Sequence, residues 1–247
     1  MSNHPDPQAL EQTAADMLRD LLADGADLKP RQRMAIPPQD MPVQAAEVRA
    51  CNTSEVALGY GEAQARLEAA RCLRCRNAPC IAGCPVAIRI PDFVTAIAEG
   101  DFADAIGVLK EASLLPAICG RVCPQESQCQ ATCTLGRSLK DPLKSVAIGR
   151  LERFAADWER ESGQVSSPAV KPPTGRRVAV VGSGPAGLVV ATDVRREGHE
   201  VTVFEAFHRF GGVMLYGIPE FRLPKDIVHQ QVDGLKEMGV EFIPNFV

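Results

Sequence analysis

The chain has 247 residues, 45% hydrophobic, 23% charged and 5% aromatic, with a formal charge of −4, the composition of one large or two modest globular domains. Net negative charge and few rings for stacking argue against nucleic acid as a partner. No run of 18 apolar residues is present to cross a membrane, and residues 1–10 lack the apolar core of a secretory signal, so a cytoplasmic protein is expected.

In chain order, Leu10, Ala14, Met17, Leu18, Leu21 and Leu22 recur at helical spacing, with Gly25 as a stop. Residues 29–42 hold four prolines and predict an extended strap. A second helix is predicted from Gly61 through the first cysteines. Phe93, Ile97, Phe102, Ile106 and Leu109 give the apolar faces of a short antiparallel helix pair, 91–98 and 101–111, broken by Gly100 and capped by Asp101. A further helix is expected over 146–161, with Ile148, Leu151, Phe154, Ala155 and Trp158 on one face. Residues 162–175, rich in Ser, Pro and Gly, read as a linker. Beyond them strands at 176–181, 200–204 and 240–243 alternate with helices at 185–197 and 225–238.

Nine cysteines are present, eight of them between residues 72 and 133. Without a secretory signal, such clustering indicates metal binding rather than a disulfide framework. The first group is Cys72-x2-Cys75-x4-Cys80-x3-Cys84-Pro85; the second is Cys119-x3-Cys123-Pro124-x4-Cys129-x3-Cys133. Short loops let several thiolates converge on one inorganic cube, and the prolines turn the chain away. In two-cluster ferredoxins the cysteine before proline ligates the other cluster, which sends Cys84 to the second. Two four-cysteine zinc sites would also use eight thiolates, although zinc favours paired knuckles. Cys51 stands alone and is expected to be a buried small apolar residue.

The run Gly182-Ser183-Gly184-Pro185-Ala186-Gly187 follows a predicted strand and opens a predicted helix, as a dinucleotide-binding turn does. Gly182 permits the tight turn, Gly184 lets a pyrophosphate approach the backbone, and Gly187 lets helix lie close to strand. Glu205, 18 residues after Gly187, ends the next strand, where an acid accepts from a ribose hydroxyl. It also repels a 2′-phosphate, so FAD or NAD suits the site better than NADP. The motif alone does not separate FAD from NAD.

The stretches CLRCRNAPCIAGCPV, PAICGRVCPQ, VAIGRLERF, VAVVGSGPAGL and FGGVMLYGIPEFRLPK resemble the small (beta) subunit of NADPH-dependent glutamate synthase and its relatives. These include the ferredoxin:NADP oxidoreductase large subunit and the amino-terminal half of dihydropyrimidine dehydrogenase. The resemblance runs from about residue 30 to the carboxyl end. It implies an all-helical domain with two [4Fe-4S] clusters followed by an α/β Rossmann-like, partial FAD-binding domain. The resulting division is a lead-in over 1–28, the cluster domain over 29–161, the linker 162–175 and the FAD-binding part over 176–247. By the same resemblance, Cys72, Cys75, Cys80 and Cys133 hold one cluster. Cys84, Cys123, Cys129 and a carboxylate, here Glu152, hold the other. Eight cysteines were available for eight places, so Cys119 competes with Glu152. The flavin stretch carries over onto Gly182, Ser183, Gly184, Pro185, Ala186, Gly187, Glu205, Gly212, Leu215 and Gly217.

The resemblance implies an oxidoreductase subunit that passes electrons between NAD(P)H, FAD and a partner enzyme, a glutamate synthase large subunit or similar. Family members continue for about as many residues again, with the nicotinamide domain and the rest of the FAD domain. This chain carries one G-x-G-x-x-G, so NAD(P)H is expected to act only through domains absent from it, joined covalently or supplied by another chain. The alternative is a non-catalytic iron–sulfur electron-transfer module that needs a second chain to complete its flavin site. A zinc-bound adaptor is the third reading.

Overall fold

The structure, a computed structural model, describes residues 6–23, 27–163 and 168–247. Chain contacts divide it into two units, residues 1–52 with 56–164, and residues 53–55 with 165–247.

The first unit opens with α1 (Pro7–Leu22), α2 (Pro30–Ala35), α3 (Ala46–Arg49) and α4 (Glu62–Ala70). It continues with α5 (Pro79–Ala82), α6 (Ile90–Glu99), α7 (Phe102–Ala112), α8 (Pro116–Val122), α9 (Thr134–Ser138) and α10 (Ile148–Ser162). Among the described residues its β structure is one antiparallel bridge, Val43 to Ala57. The predicted periodicities form as helices where the apolar stripe is long. Ala14 and Leu18 of α1 are buried, and Ala14 joins Leu67, Ala70 and Ile36 in one apolar cluster. The expected stop at Gly25 lies outside the described residues. The helix pair α6 and α7 is broken by Gly100 in the left-handed region at φ 87°, and the Asp101 side chain caps Asp104 N at 2.9 Å. Phe102 of α7 meets Phe154 and Trp158 of α10 edge-on, with ring centroids 5.0 and 5.7 Å apart.

Three expectations are corrected. The strap over 29–42 is not extended throughout. Pro30 sits in the first turn of a helix, where its missing N–H costs nothing, and the helix carries Arg33 inward. That side chain, 5% exposed, donates to the carbonyls of Leu28, Ala70 and Cys72 at 2.9, 3.0 and 3.1 Å. Arg33 thereby satisfies the carbonyl end of α4, and the extended path resumes only at Ile36. The helix from Gly61 stops at Ala70 rather than running through the cysteines. Cys51 is exposed, as is the whole run 47–54 that includes the end of the short α3.

A buried ion pair, Arg71 to Glu68 at 2.6 Å, knits three segments directly before the first thiol. Arg71 donates to the carbonyls of Ile36, Lys144 and Ser145, and Glu68 accepts from the amides of Gln39 and Ala147. Removing one partner of such a pair strands the other charge and costs about 3–5 kcal/mol.

The second unit is a three-stranded parallel sheet in the order β1 (Arg177–Val181), β2 (Glu200–Phe204), β3 (Glu241–Ile243). Val180 pairs with Val203, and Val203 with Phe242. Its helices are α11 (Pro185–Arg196), α12 (Val213–Tyr216) and α13 (Lys225–Glu237), with α11 packed on β1, β2 and α13. Val180, Val201, Val203, Leu188, Ala191, Val228 and Val232 supply its buried apolar residues, as parallel β-α-β units require. No helix among the described residues is long and apolar enough to cross a membrane.

Candidate functional site

The eight clustered cysteines fall into two sets in space that cut across their grouping in sequence. Cys80, whose thiol is pushed up to about 12 by burial, feels Cys72, Cys133 and Cys75 as its charged neighbours. Burial raises Cys72 likewise, with Cys133 and Cys75 adding to it and the Arg74 amide and Arg33 opposing. Cys129, raised to about 12 by burial, instead faces Cys84 and Glu152. A contact with Cys119 lowers Cys123, against burial and the charges of Glu152, Cys129 and Cys84. One set is therefore Cys72, Cys75, Cys80 and Cys133, and the other is Cys84, Cys123, Cys129 and Glu152, with Cys119 beside Cys123.

The local chain explains this arrangement. Arg33 and Arg71 fix the end of α4 and so the start of the first set. Cys80 sits on α5, which Pro79 opens, and Cys133 is the N-cap residue of α9. Cys123 ends α8 as its C-cap, with Pro124 next. Two glycines bring the second set together. A Cβ on Gly83, beside Cys84, would lie 2.9 Å from the Gln128 carbonyl and 3.2 Å from the Cys129 Cα. A Cβ on Gly120, beside Cys119, would lie 2.5 Å from the Arg153 amide nitrogen, beside Glu152. Nothing in the sequence pattern marked either glycine. Arg121 and Arg153 then clamp this crossing from both sides by sharing the Asp157 carboxylate, at 2.7 and 3.2 Å.

Glu152 is 6% exposed, and its Oε1 has no hydrogen-bond partner among the described residues. Burial, helped by the charge of Cys119, pushes its carboxyl well above the ordinary range. A carboxylate so placed is costly unless it meets a cation, so the residues present fit a metal group between Glu152 and the second set of thiolates. No group of three or more His, Cys, Asp or Glu side chains among the described residues is arranged for a single metal ion.

In the second unit Gly182 turns the chain at φ +90°, and Gly184 is the N-cap residue of α11, with Pro185 at its start and Ala186 following. A Cβ on Gly187 would lie 2.0 Å from the Gly182 carbonyl oxygen, whereas none at Gly184 would meet an atom within 4 Å. Helix and turn are thus in contact at Gly187 and open at Gly184, with the helix N-terminus free to face an anion. Glu205 is more engaged than the motif suggested. Ser183 donates to its Oε2 from both amide (2.9 Å) and hydroxyl, and the Phe207 amide donates to Oε1 at 3.0 Å. Burial acts to raise Glu205, but these bonds outweigh it and hold the carboxyl below its ordinary value. The Ala206 amide also donates to this carboxylate. The Gly211 amide donates to the Ser183 hydroxyl at 3.0 Å, and a Cβ on Gly212 would lie 2.8 Å from the Gly184 Cα. Gly182, Ser183, Gly184, Glu205 and Gly212 are thus one hydrogen-bonded and contacting group. Leu215 and Gly217 lie farther on, along and just past α12.

Residues 49–164 match the family described as dihydropyrimidine dehydrogenase domain II, 4Fe-4S cluster, and residues 180–224 match the NAD(P)-binding Rossmann-like domain family. The glutamate synthase [NADPH] small chain of Azospirillum brasilense is 35% identical over 193 residues, 78% of this chain and 39% of the relative. That of Escherichia coli (strain K12) is 35% identical over 203 residues, 82% of this chain and 42% of the relative. The NAD-dependent dihydropyrimidine dehydrogenase subunit PreT homolog of Salmonella typhi is 38% identical over 187 residues, 75% and 44% respectively. A solved structure, the 6-hydroxypseudooxynicotine amine oxidase of Pseudomonas geniculata N1, matches 66% of this chain and 21% of its own at 17% identity, with a TM-score of 0.30, too low to carry any conclusion. The chain spans less than half the length of the three curated relatives named. It carries a 4Fe-4S domain and a Rossmann-like nucleotide-binding domain, and by sequence it is a relative of the glutamate synthase small chains and of the dihydropyrimidine dehydrogenase subunits.

Proposed function

We propose that this chain is the iron–sulfur and flavin-binding part of an oxidoreductase like the glutamate synthase small chain. It passes electrons between NAD(P)H-reduced FAD and a partner enzyme. The observation that carries this reading is the buried, unpartnered Glu152 carboxylate facing Cys123 and Cys129. A buried acid whose Oε1 is left unsatisfied among thiols calls for a partner, and a metal group supplies one. Cys72, Cys75, Cys80 and Cys133 are assigned to one [4Fe-4S] cluster, and Cys84, Cys123, Cys129 and Glu152 to the second.

FAD is assigned to the second unit. Gly184 and the start of α11 receive its pyrophosphate, and Glu205 at the end of β2 stands where an acid accepts from a ribose hydroxyl. Ser183 locks Glu205 to the glycine turn, so that acid and turn move as one body. Leu215 and Gly217 are assigned to the flavin side of the same site. Bound there, FAD would take up one hydride, two electrons at once, and the clusters would pass those electrons singly. This chain's residues contribute orientation, exclusion of water around the buried thiols, and hydrogen bonds that tune the groups they hold. NAD(P)H enters through domains outside this sequence, and the redox partner is a subunit of the glutamate synthase large-chain kind.

Val181 at the end of β1 is 89% exposed, which favours a second reading for the chain taken alone. In it the clusters carry electrons while the flavin site is completed by further chain, covalent or separate. Metal and flavin analysis of protein purified without air tests both readings. About eight iron atoms with FAD per chain supports the first, and iron without FAD the second. About two zinc atoms without iron would overturn both.

A further inference from the structure

With Glu152 taken as the eighth ligand, Cys119 is left over, although it stands next to a ligand. Cys119 and Cys123 are four residues apart, on one face of α8 and its C-cap, and the Cys123 amide donates to the Cys119 carbonyl at 3.0 Å. Their side chains are hydrogen-bonded to each other, and the Cys119 sulfur is also bonded to Ser113. Ser113 is 4% exposed, so its hydroxyl has no water to turn to. Gln125 holds the Cys119 carbonyl from outside at 3.2 Å, and the contact of Gly120 with the Arg153 backbone keeps α8 from sliding.

We propose that Cys119 is a positioning residue: its S–H donates to the Cys123 sulfur, and the Ser113 hydroxyl donates to Cys119. This two-link relay raises the reduction potential of the cluster held by Cys84, Cys123, Cys129 and Glu152. The proposal rests on the reading of Cys123 and Glu152 as ligands. A thiol outside the ligand set and in contact with a ligating sulfur can serve it as a hydrogen-bond donor. A donor aimed at a ligating sulfur withdraws electron density from it, and this favours the reduced cluster. The other set gains nothing from this thiol, so the two potentials are driven apart.

The test is an EPR-monitored redox titration, with iron counted, on the 247-residue protein purified without air. Wild type, Cys119→Ala, Cys119→Ser and Ser113→Ala are compared. Cys119→Ala is expected to keep wild-type iron while one cluster's potential moves to more negative values and the other stays put. Cys119→Ser, which retains a donor, should bring it back toward wild type, and Ser113→Ala should move the same cluster by a smaller step in the same direction. Unchanged potentials with full iron in Cys119→Ala would make Cys119 a packing residue and overturn the proposal. If that variant holds no iron at all, Ser113→Ala decides, and unchanged potentials there overturn it equally. Loss of one cluster in Cys119→Ala, with both kept in Glu152→Ala, would show that Cys119 is the ligand and that the assignment of Glu152 has failed. Wild-type protein without iron would sink the functional reading before any variant is compared.

Discussion

Gly120 and Arg153 meet backbone to backbone: a Cβ on the glycine would stand 2.5 Å from the arginine amide nitrogen and 2.8 Å from its Cα. Helices α8 and α10 therefore cross at a separation no side chain permits, and that separation sets how far Glu152 lies from Cys123. Gly120→Ala is expected to force the helices apart at a cost of about 1–3 kcal/mol. The protein should lose about half its iron and melt at a lower temperature. Gly107→Ala on α7, where a Cβ meets nothing within 4 Å, is the control. It should keep all its iron and gain about 0.5–1 kcal/mol.

Cys72 and Cys133 are 61 positions apart in the chain yet share one neighbourhood. Cys72→Ser and Cys133→Ser should abolish the same EPR signal. Glu152→Ala should alter the other signal and leave that one intact. Different signals lost in the two serine variants would dissolve the interleaved assignment.

Gly184 has φ −67° and open space where a side chain would project. Gly184→Val therefore fits the unliganded fold without strain and collides only with something placed against the turn. Bound FAD should fall at least tenfold while iron stays at the wild-type level. Full FAD retention in this variant would mean that the turn is structural.

Glu11 of α1 reaches across to the first turn of α4, accepting from the amides of Ala63 at 2.7 Å and Gln64 at 3.1 Å. It acts as an N-cap supplied from another helix. Glu11→Ala should destabilise the protein by about 1 kcal/mol, read as a lower melting temperature with iron content unchanged. A melting temperature equal to wild type would show that solvent replaces the cap at no cost.

The sequence was most readable where one physical signal dominated. Period-3.6 stripes marked α1, α6, α7 and α10, Asp101 announced its cap, and β-branched runs flanking a glycine turn located β1, α11 and β2. The roles of Arg33, Arg71 and Glu11 do not show in the sequence because most of their partners are main-chain groups tens of residues away, which composition and spacing do not reveal. The helix α2 was missed because proline was taken as a sign of extension, although at the first turn it starts a helix. For Cys51 a chemical habit, burial of free thiols, gives way to a local fact, an exposed run after a short helix. Grouping the thiols by nearness in sequence gives four and four, whereas the fold pairs Cys80 with Cys133 and Cys84 with Cys129.

The two sets of side chains define two loops, residues 72–133 and residues 84–152, that overlap along most of their length. Because they overlap from 84 to 133, any single cut of the backbone inside that stretch leaves neither set complete. A gene ending or beginning inside that stretch would encode neither set whole. Closing one loop also lowers the entropy cost of closing the other, because the overlap from 84 to 133 serves both. Order in one set of side chains thus brings the other close to order as well.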